Sequence, residues 1–188
     1  GPPFEGESEV HMAQQAKAEE EVEKPWRYDT GDGLVDMLPA EPDINTDTIW
    51  AVSDGGVREA GTHRAIAGYG YIIRTSKQSQ GWGNFDYTMA GRGQVEGNNM
   101  YMDSTRAEAR GLLATMTRLL SVLKFYPKVQ IIDHATDNEA VVDIYAGMKG
   151  RTTTEWLRAT ETDIWHEIQQ AEAKFGKQGI MYKVRWVR

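Results

Sequence analysis

From residue 48 onward the apolar and polar positions fall into short alternating runs and then change period. Residues 48–53 alternate and read as a strand, with the Gly55-Gly56 pair as its turn. A polar loop over 58–64 leads to a second alternating run over 66–74, where Gly68 and Gly70 point to close packing or a bulge. A turn at 78–83 and a third run at 85–95 complete an antiparallel meander of three strands. The period then becomes helical. Asp103 or Ser104 caps a helix reaching about residue 125, with Ala107, Leu112, Leu113, Met116, Leu119, Leu120 and Leu123 as its apolar stripe. Pro127 stops that helix. Residues 129–136 predict a fourth strand, 138–148 and 155–175 two further helices, and 181–187 a fifth strand after a glycine turn at 176–179. The order βββ-α-β-α-α-β predicts an α/β domain. Its sheet is mixed and five-stranded, three antiparallel strands followed by parallel ones, flanked by helices.

Residues 1–47 have a different character. They carry thirteen acidic and three basic side chains, a net of −10, whereas residues 48–188 carry fifteen acidic and eighteen basic ones, a net of +3. The overall −7 therefore conceals an acidic segment joined to a mildly basic domain. The segment reads as a largely disordered tail or linker, whose scattered Trp26, Tyr28 and Leu38 could dock it on the domain or on a partner. Gly1-Pro2 has the form of a protease scar and His11-Met12 that of a cloning junction, so the first residues read as foreign to the natural protein. The absence of cysteine excludes disulfides and thiolate metal sites. No apolar run approaches the ~20 residues of a membrane helix, and no signal peptide is present. The expected setting is intracellular, cytoplasmic or nuclear, with no membrane partner.

Three carboxylates occupy unusual places in this layout. Asp54 lies at the end of the first predicted strand, Asp137 at the end of the fourth, and Glu108 on the first turns of the long helix. A right-handed crossover makes the first and fourth strands parallel neighbours, so both end on the sheet edge where open α/β sheets place ligands. Ala107 and Gly111 leave room for the helix to bring Glu108 to that edge. Taken singly, each residue has a plainer role: a turn at Asp54, a solvated helix position at Glu108, a helix cap at Asp137. Taken together, three acids without a basic partner repel one another unless a cation sits between them. Mg²⁺ or Mn²⁺ suits such an oxygen-only set, and two such ions can hydrolyse a phosphodiester.

The blocks Ser53-Asp54-Gly55-Gly56, Ser104-Thr105-Arg106-Ala107-Glu108-Ala109, Thr136-Asp137-Asn138 and Trp186-Val187 together resemble the ribonuclease H family. The similarity is greatest to the ribonuclease H-like domains attached to retroelement reverse transcriptases, and it spans about residue 48 to the C-terminus. It implies an RNase H-like fold that cuts the RNA strand of an RNA/DNA hybrid by two-metal hydrolysis. Asp54, Glu108 and Asp137 would be the catalytic, metal-binding acids, holding two Mg²⁺ or Mn²⁺ ions. Ser104 and Thr105 would contact the RNA minor groove, where the 2′-hydroxyl distinguishes RNA from DNA, although Ser104 serves equally as a helix cap. Gly55 and Gly56 would let backbone approach the RNA strand, and Asn138 joins the substrate-binding residues. Arg106 would touch a phosphate or pair with an acid. A linked reverse transcriptase or other domain is the implied partner.

The chain departs from the family at its C-terminal end. A loop histidine and a fourth aspartate are expected beyond the Trp-Val-Arg segment, which here is Trp186-Val187-Arg188. None of His11, His63, His134 and His166 stands in the expected place, and Asp163 lies on a helix without the right spacing. The expectation is weak or Mn²⁺-dependent cleavage, or a non-catalytic domain that works as a scaffold or interaction module. The acidic segment has a further possible role, lying over the basic groove in competition with nucleic acid.

Overall fold

The computed structural model describes residues 33–34, 44–75, 89–97, 102–148, 151–152 and 162–188. Most of the acidic segment, the turn expected at 78–83, the start of the third strand and the first turns of the last helix lie outside them. The strands are β1 (Gly33–Leu34), β2 (Thr48–Arg58), β3 (Ile66–Arg74), β4 (Met89–Gln94), β5 (Ile131–Thr136) and β6 (Met181–Trp186). The helices are α1 (Ser104–Val122), α2 (Glu139–Met148) and α3 (Thr162–Lys177). They form one sheet in the order β1-β4-β3-β2-β5-β6. Strands β2, β3 and β4 pair antiparallel, and β5 and β6 add parallel to β2. This is the expected mixed five-stranded sheet. At its edge, two residues of the acidic segment pair with β4, Gly33 opposite Arg92 and Leu34 opposite Gly91.

The alternation read from the sequence decides which face is buried. Ile49, Ala51 and Ser53 of β2, Tyr69, Tyr71 and Ile73 of β3, and Ile132 and His134 of β5 all turn into one core. Against them α1 sets Ala107, Leu112, Met116, Leu119 and Val122, and α3 sets Ile164, Trp165, Ile168 and Phe175. Each large apolar side chain buried in this way contributes on the order of 1.5–3 kcal/mol. Asp103 is the cap of α1, its carboxylate accepting the Arg106 backbone N–H at 2.7 Å. Ser104 is therefore the first helical residue. A 3₁₀ turn, Leu123–Phe125, winds the helix down before Pro127.

The structure corrects the reading of the Gly-Gly pair. Gly55 and Gly56 make no turn; they continue β2, opposite Tyr69 and Gly68 of β3, and the chain leaves the strand only at Arg58. The physical reason is the helix above them. A Cβ on Gly55 would come within 2.6 Å of the Ala107 carbonyl oxygen and the Glu108 nitrogen, so bare backbone is required where α1 meets β2. Close packing also falls elsewhere than expected. Gly91 and Gly93 of β4 lie under the Tyr71 and Tyr69 rings, while Gly68 and Gly70 have ordinary clearance.

Nothing lies within 4 Å of a Cβ built on Gly56, the next residue of the strand. G55A should therefore destabilise the domain by about 2 kcal/mol or more through overpacking, and G56A by less than about 1 kcal/mol. Urea unfolding of the two variants measures this difference, and equal midpoints would contradict the assigned helix–strand contact.

Candidate active site

Three elements converge where the parallel pairing of β2 with β5 runs out. Asp54 stands in β2 opposite Gly70 of β3, Asp137 follows the last residue of β5, and Glu108 is the fifth residue of α1. Parallel pairing of β2 with β5, from Thr48 opposite Ile131 to Val52 opposite Ala135, brings the two aspartates to the same edge. The missing side chain at Gly55 lets the first turns of α1 come down beside them. Each acid offers one carboxylate oxygen within 4.8 Å of those of the other two, and among the described residues no fourth joins them. Asp54 and Asp137 are exposed, whereas Glu108 is buried.

The electrostatics follow from that geometry. Burial, a hydrogen bond to Asp54 and the charges of Asp54 and Asp137 push Glu108 from 4.5 up to about 8, against the opposing pull of the Gly55 backbone N–H. Glu108 therefore keeps its proton at neutral pH in the metal-free chain, which relieves the repulsion among the three groups. Glu108 Oε2 is buried with no hydrogen-bond partner. A divalent cation would meet that need. Oxygens bound to one Mg²⁺ at ~2.1 Å lie ~3.0 Å apart when adjacent and ~4.2 Å apart when opposite, so carboxylates gathered within 4.8 Å could converge on a shared ion by small side-chain movements. The oxygen-only donor set, the buried unpartnered oxygen and the spacing all fit a hard divalent ion.

The other expected residues divide into two groups. Gly55, Gly56 and Asp54 line an open groove of about 1250 Å³ that continues past Gly68 to Arg92 and Arg110. Arg92 is exposed, and the Arg110 guanidinium lies 5.1 Å from the centroid of the Tyr69 ring. Ser104 is exposed and Thr105 half-buried on the turn of α1 that precedes Glu108. Arg106, by contrast, is committed to the protein. It pairs with both carboxylate oxygens of Asp163, at 3.1 and 2.8 Å, and donates to the Glu96 carbonyl. The hydrogen bonds from Arg106 hold the Asp163 carboxyl below its usual range. Of the two roles read for Arg106, the fold uses the ion pair, and Asp163 is spent in joining α3 to α1. The Asn138 side chain accepts the Val141 N–H at 3.0 Å and so caps α2.

Sequence reasoning left four supporting residues without a part in the site. The Trp186 indole N–H donates to the Asp137 carbonyl at 3.2 Å, and the next residue, Val187, donates its backbone N–H to Thr136. The end of β6 thus holds the turn that presents Asp137. Ser53 and His134 are hydrogen-bonded in the core immediately beneath Asp54. Of these four, only Ser53 stands beside one of the three acids in the sequence, and the strand order shows the others to be neighbours of the site.

Two buried groups set opposite pH dependences. The folded state holds the Glu108 proton up to about pH 8 and the unfolded chain only to about 4.5, so stability falls as pH rises through that window. His134, wholly buried, is pushed from 6.5 down to about 3, so its contribution is complete above pH 6.5 and lost as pH falls toward 3. In EDTA, E108Q should match the wild type near pH 4.5 and become progressively more stable than it up to about pH 8. Urea midpoints across that range test this, and a gap that does not change with pH would contradict the protonated Glu108.

No protein-family model matches the chain, and no curated protein sequence matches it. Solved structures do. The chain is 14% identical to the prototype foamy virus protease–reverse transcriptase, with a TM-score of 0.51 over 78% of this chain and 18% of that one. It is 20% identical to the N-terminal RNase H domain of rv2228c from Mycobacterium tuberculosis, with a TM-score of 0.49 over 76% of this chain and 83% of that one. RNase H1 from the halophilic archaeon Halobacterium salinarum gives 16% identity and a TM-score of 0.48 over 74% and 85%. The fold is RNase H-like, similar at low identity to the RNase H domains of retroelement reverse transcriptases.

Proposed function

We propose that this chain is an RNase H-like domain that binds divalent metal through Asp54, Glu108 and Asp137 and, with three acids, is at most a weak nuclease for the RNA strand of RNA/DNA hybrids. The observation that carries the reading is the acid cluster itself, three carboxylates within 4.8 Å of one another with one oxygen buried and unpartnered. A scaffold gains nothing from grouping like charges, whereas a metal site requires it. The same cluster argues for weakness, because among the described residues three acids gather where a four-acid site has one more ligand.

In the complex, Mg²⁺ or Mn²⁺, as two ions, would activate the attacking water and stabilise the leaving oxygen. The chain's own part is to place and charge the donors. Asp54 and Asp137 are exposed, Asp54 on the wall of the groove, and Glu108 would give up its proton to a cation. Gly55 and Gly56 present backbone without side chains along the groove floor, where a sugar–phosphate strand could lie close. Arg92 and Arg110 supply positive charge farther along the groove, and Ser104 and Thr105 stand one turn before Glu108, where they could meet a 2′-hydroxyl. A net of +3 over residues 48–188 gives little phosphate attraction, so tight binding needs a linked domain such as a reverse transcriptase.

The second reading is a domain with no catalysis at all, serving as a scaffold or interaction module; the gathering of three acids and no fourth among the described residues favours it. A labelled RNA/DNA hybrid incubated with Mg²⁺ or Mn²⁺ separates the possibilities. The expected result is slow cleavage, faster in Mn²⁺, that D54N abolishes. Cleavage in Mg²⁺ as fast as that of a four-acid ribonuclease H run alongside would overturn the proposed weakness. Metal binding without any cleavage would leave the scaffold reading standing. Because Glu108 must lose a proton on binding, Mn²⁺ affinity should rise up to about tenfold per pH unit toward pH 8 and then level off. Calorimetric titrations at pH 6, 7, 8 and 9 measure this, and a flat profile would contradict it.

A further inference from the structure

A chain of polar side chains crosses the core beneath the acid cluster. Ser53 Oγ lies 2.6 Å from His134 Nε2, and His134 Nδ1 lies 2.6 Å from Tyr182 Oη. The Tyr145 hydroxyl donates to the Tyr182 carbonyl at 3.2 Å, extending the tie to α2. Ser53, His134 and Tyr182 are 3%, 0% and 5% exposed. The three side chains stand on β2, β5 and β6, and the chain crosses the strands obliquely: Ser53 lies two residues past the partner of His134 on β2, and Tyr182 two residues before its partner on β6. It ends next to the site: Ser53 immediately precedes Asp54, and the strand that carries His134 ends at Thr136, immediately before Asp137.

Apolar side chains of similar size would fill this space without the cost of desolvating two hydroxyls and an imidazole. What the polar chain adds is selectivity for one arrangement. A parallel ladder leaves registers two residues apart with the same faces buried, and a two-residue slip moves one strand ~6.6 Å along its neighbour. That displacement exceeds the 4.8 Å within which the three carboxylates gather. In the observed register, with Ala51 opposite His134 and His134 opposite Val184, the imidazole reaches hydroxyls on both neighbouring strands. A slip that draws Ser53 or Tyr182 away from the imidazole would leave a buried ring nitrogen unsatisfied, a heavy penalty in a core. The imidazole also does this without adding charge beneath the acids, because burial keeps it neutral.

We infer that His134, through Ser53 and Tyr182, is a positioning residue that holds β2 and β5 in the one register where Asp54 and Asp137 share a divalent cation. This rests on the metal-site reading proposed above. It assigns the imidazole no contact with metal or substrate. The chain acts through backbone: it fixes the register of β2 against β5, and the register fixes the separation of the carboxylates.

The test uses S53A and Y182F, each of which deletes one hydroxyl with little change of shape. The full chain is titrated with Mn²⁺ at pH 8 by water-proton relaxation, and its urea midpoint is measured in EDTA. Ile168→Val, in the core of α3 and away from the acids, supplies a destabilised control. The expected result is a loss of roughly tenfold in Mn²⁺ affinity for both S53A and Y182F, as for residues that orient metal ligands from behind, with the affinity of the Ile168→Val control unchanged. Variants that lose urea resistance as the control does while binding Mn²⁺ as tightly as the wild type would overturn this inference and leave the metal site intact. A wild type with no Mn²⁺ binding that D54N removes would instead overturn the metal reading, and this inference with it. Should one variant fail to fold, the other decides the question.

Discussion

The site depends on one contact, the approach of α1 to β2 at Gly55. Helices normally keep a layer of side chains between their backbone and a sheet. Here a side chain on Gly55 would overlap the Ala107 carbonyl and the Glu108 nitrogen. The helix side of the contact is equally spare. Ala107 is fully buried, and a Cβ on Gly111 would already press on the Tyr69 and Ser53 side chains and the Asp54 carbonyl. Small residues on both elements let the helix descend, and Glu108 descends with it. The carboxylate that completes the cluster is delivered by residues that carry no chemistry of their own.

That delivery has an electrostatic consequence. Two exposed aspartates can share an edge of the sheet because water screens them, but a third, buried carboxylate cannot join them as an anion. The metal-free protein resolves the conflict by leaving a proton on Glu108. A cation would resolve it differently, replacing the proton and satisfying the buried oxygen. The cluster could thus exchange a proton for a metal, and the raised Glu108 carboxyl would make that exchange depend on pH. His134, held neutral a few ångströms into the core, keeps the supporting structure out of that exchange.

An RNase H-like fold sets where a ligand binds, at the edge where the parallel strands end, but folds of this kind host many activities and do not identify one. Function is carried by which side chains remain available there. Arg106 and Asp163 show the difference. Both have the charge to serve a nucleic acid or a metal, and the structure joins them to each other to fasten α3 to α1. Arg92 and Arg110 remain on the groove, beside Gly55, Gly56, Gly68 and Gly93.

Most of the architecture was legible in the sequence, because burial of one face imposes a period of two on strands and a near-3.6 period on helices. That period placed β3, α1, α2 and β6 within a few residues of their observed ends. The three acids were legible as well, since crossover handedness forces β2 and β5 to run parallel and to end together. The fate of Gly55-Gly56 was not. The same dipeptide suits a turn or a strand under a helix, and only the position of Ala107, over fifty residues away in sequence, selects the strand. The partner of Arg106 and the protonation of Glu108 were likewise decided by tertiary structure, for both depend on which groups lie within a few ångströms and how much water reaches them. The sequence determined the strands and the acids they carry; the packing of α1 on β2 decided that the acids meet.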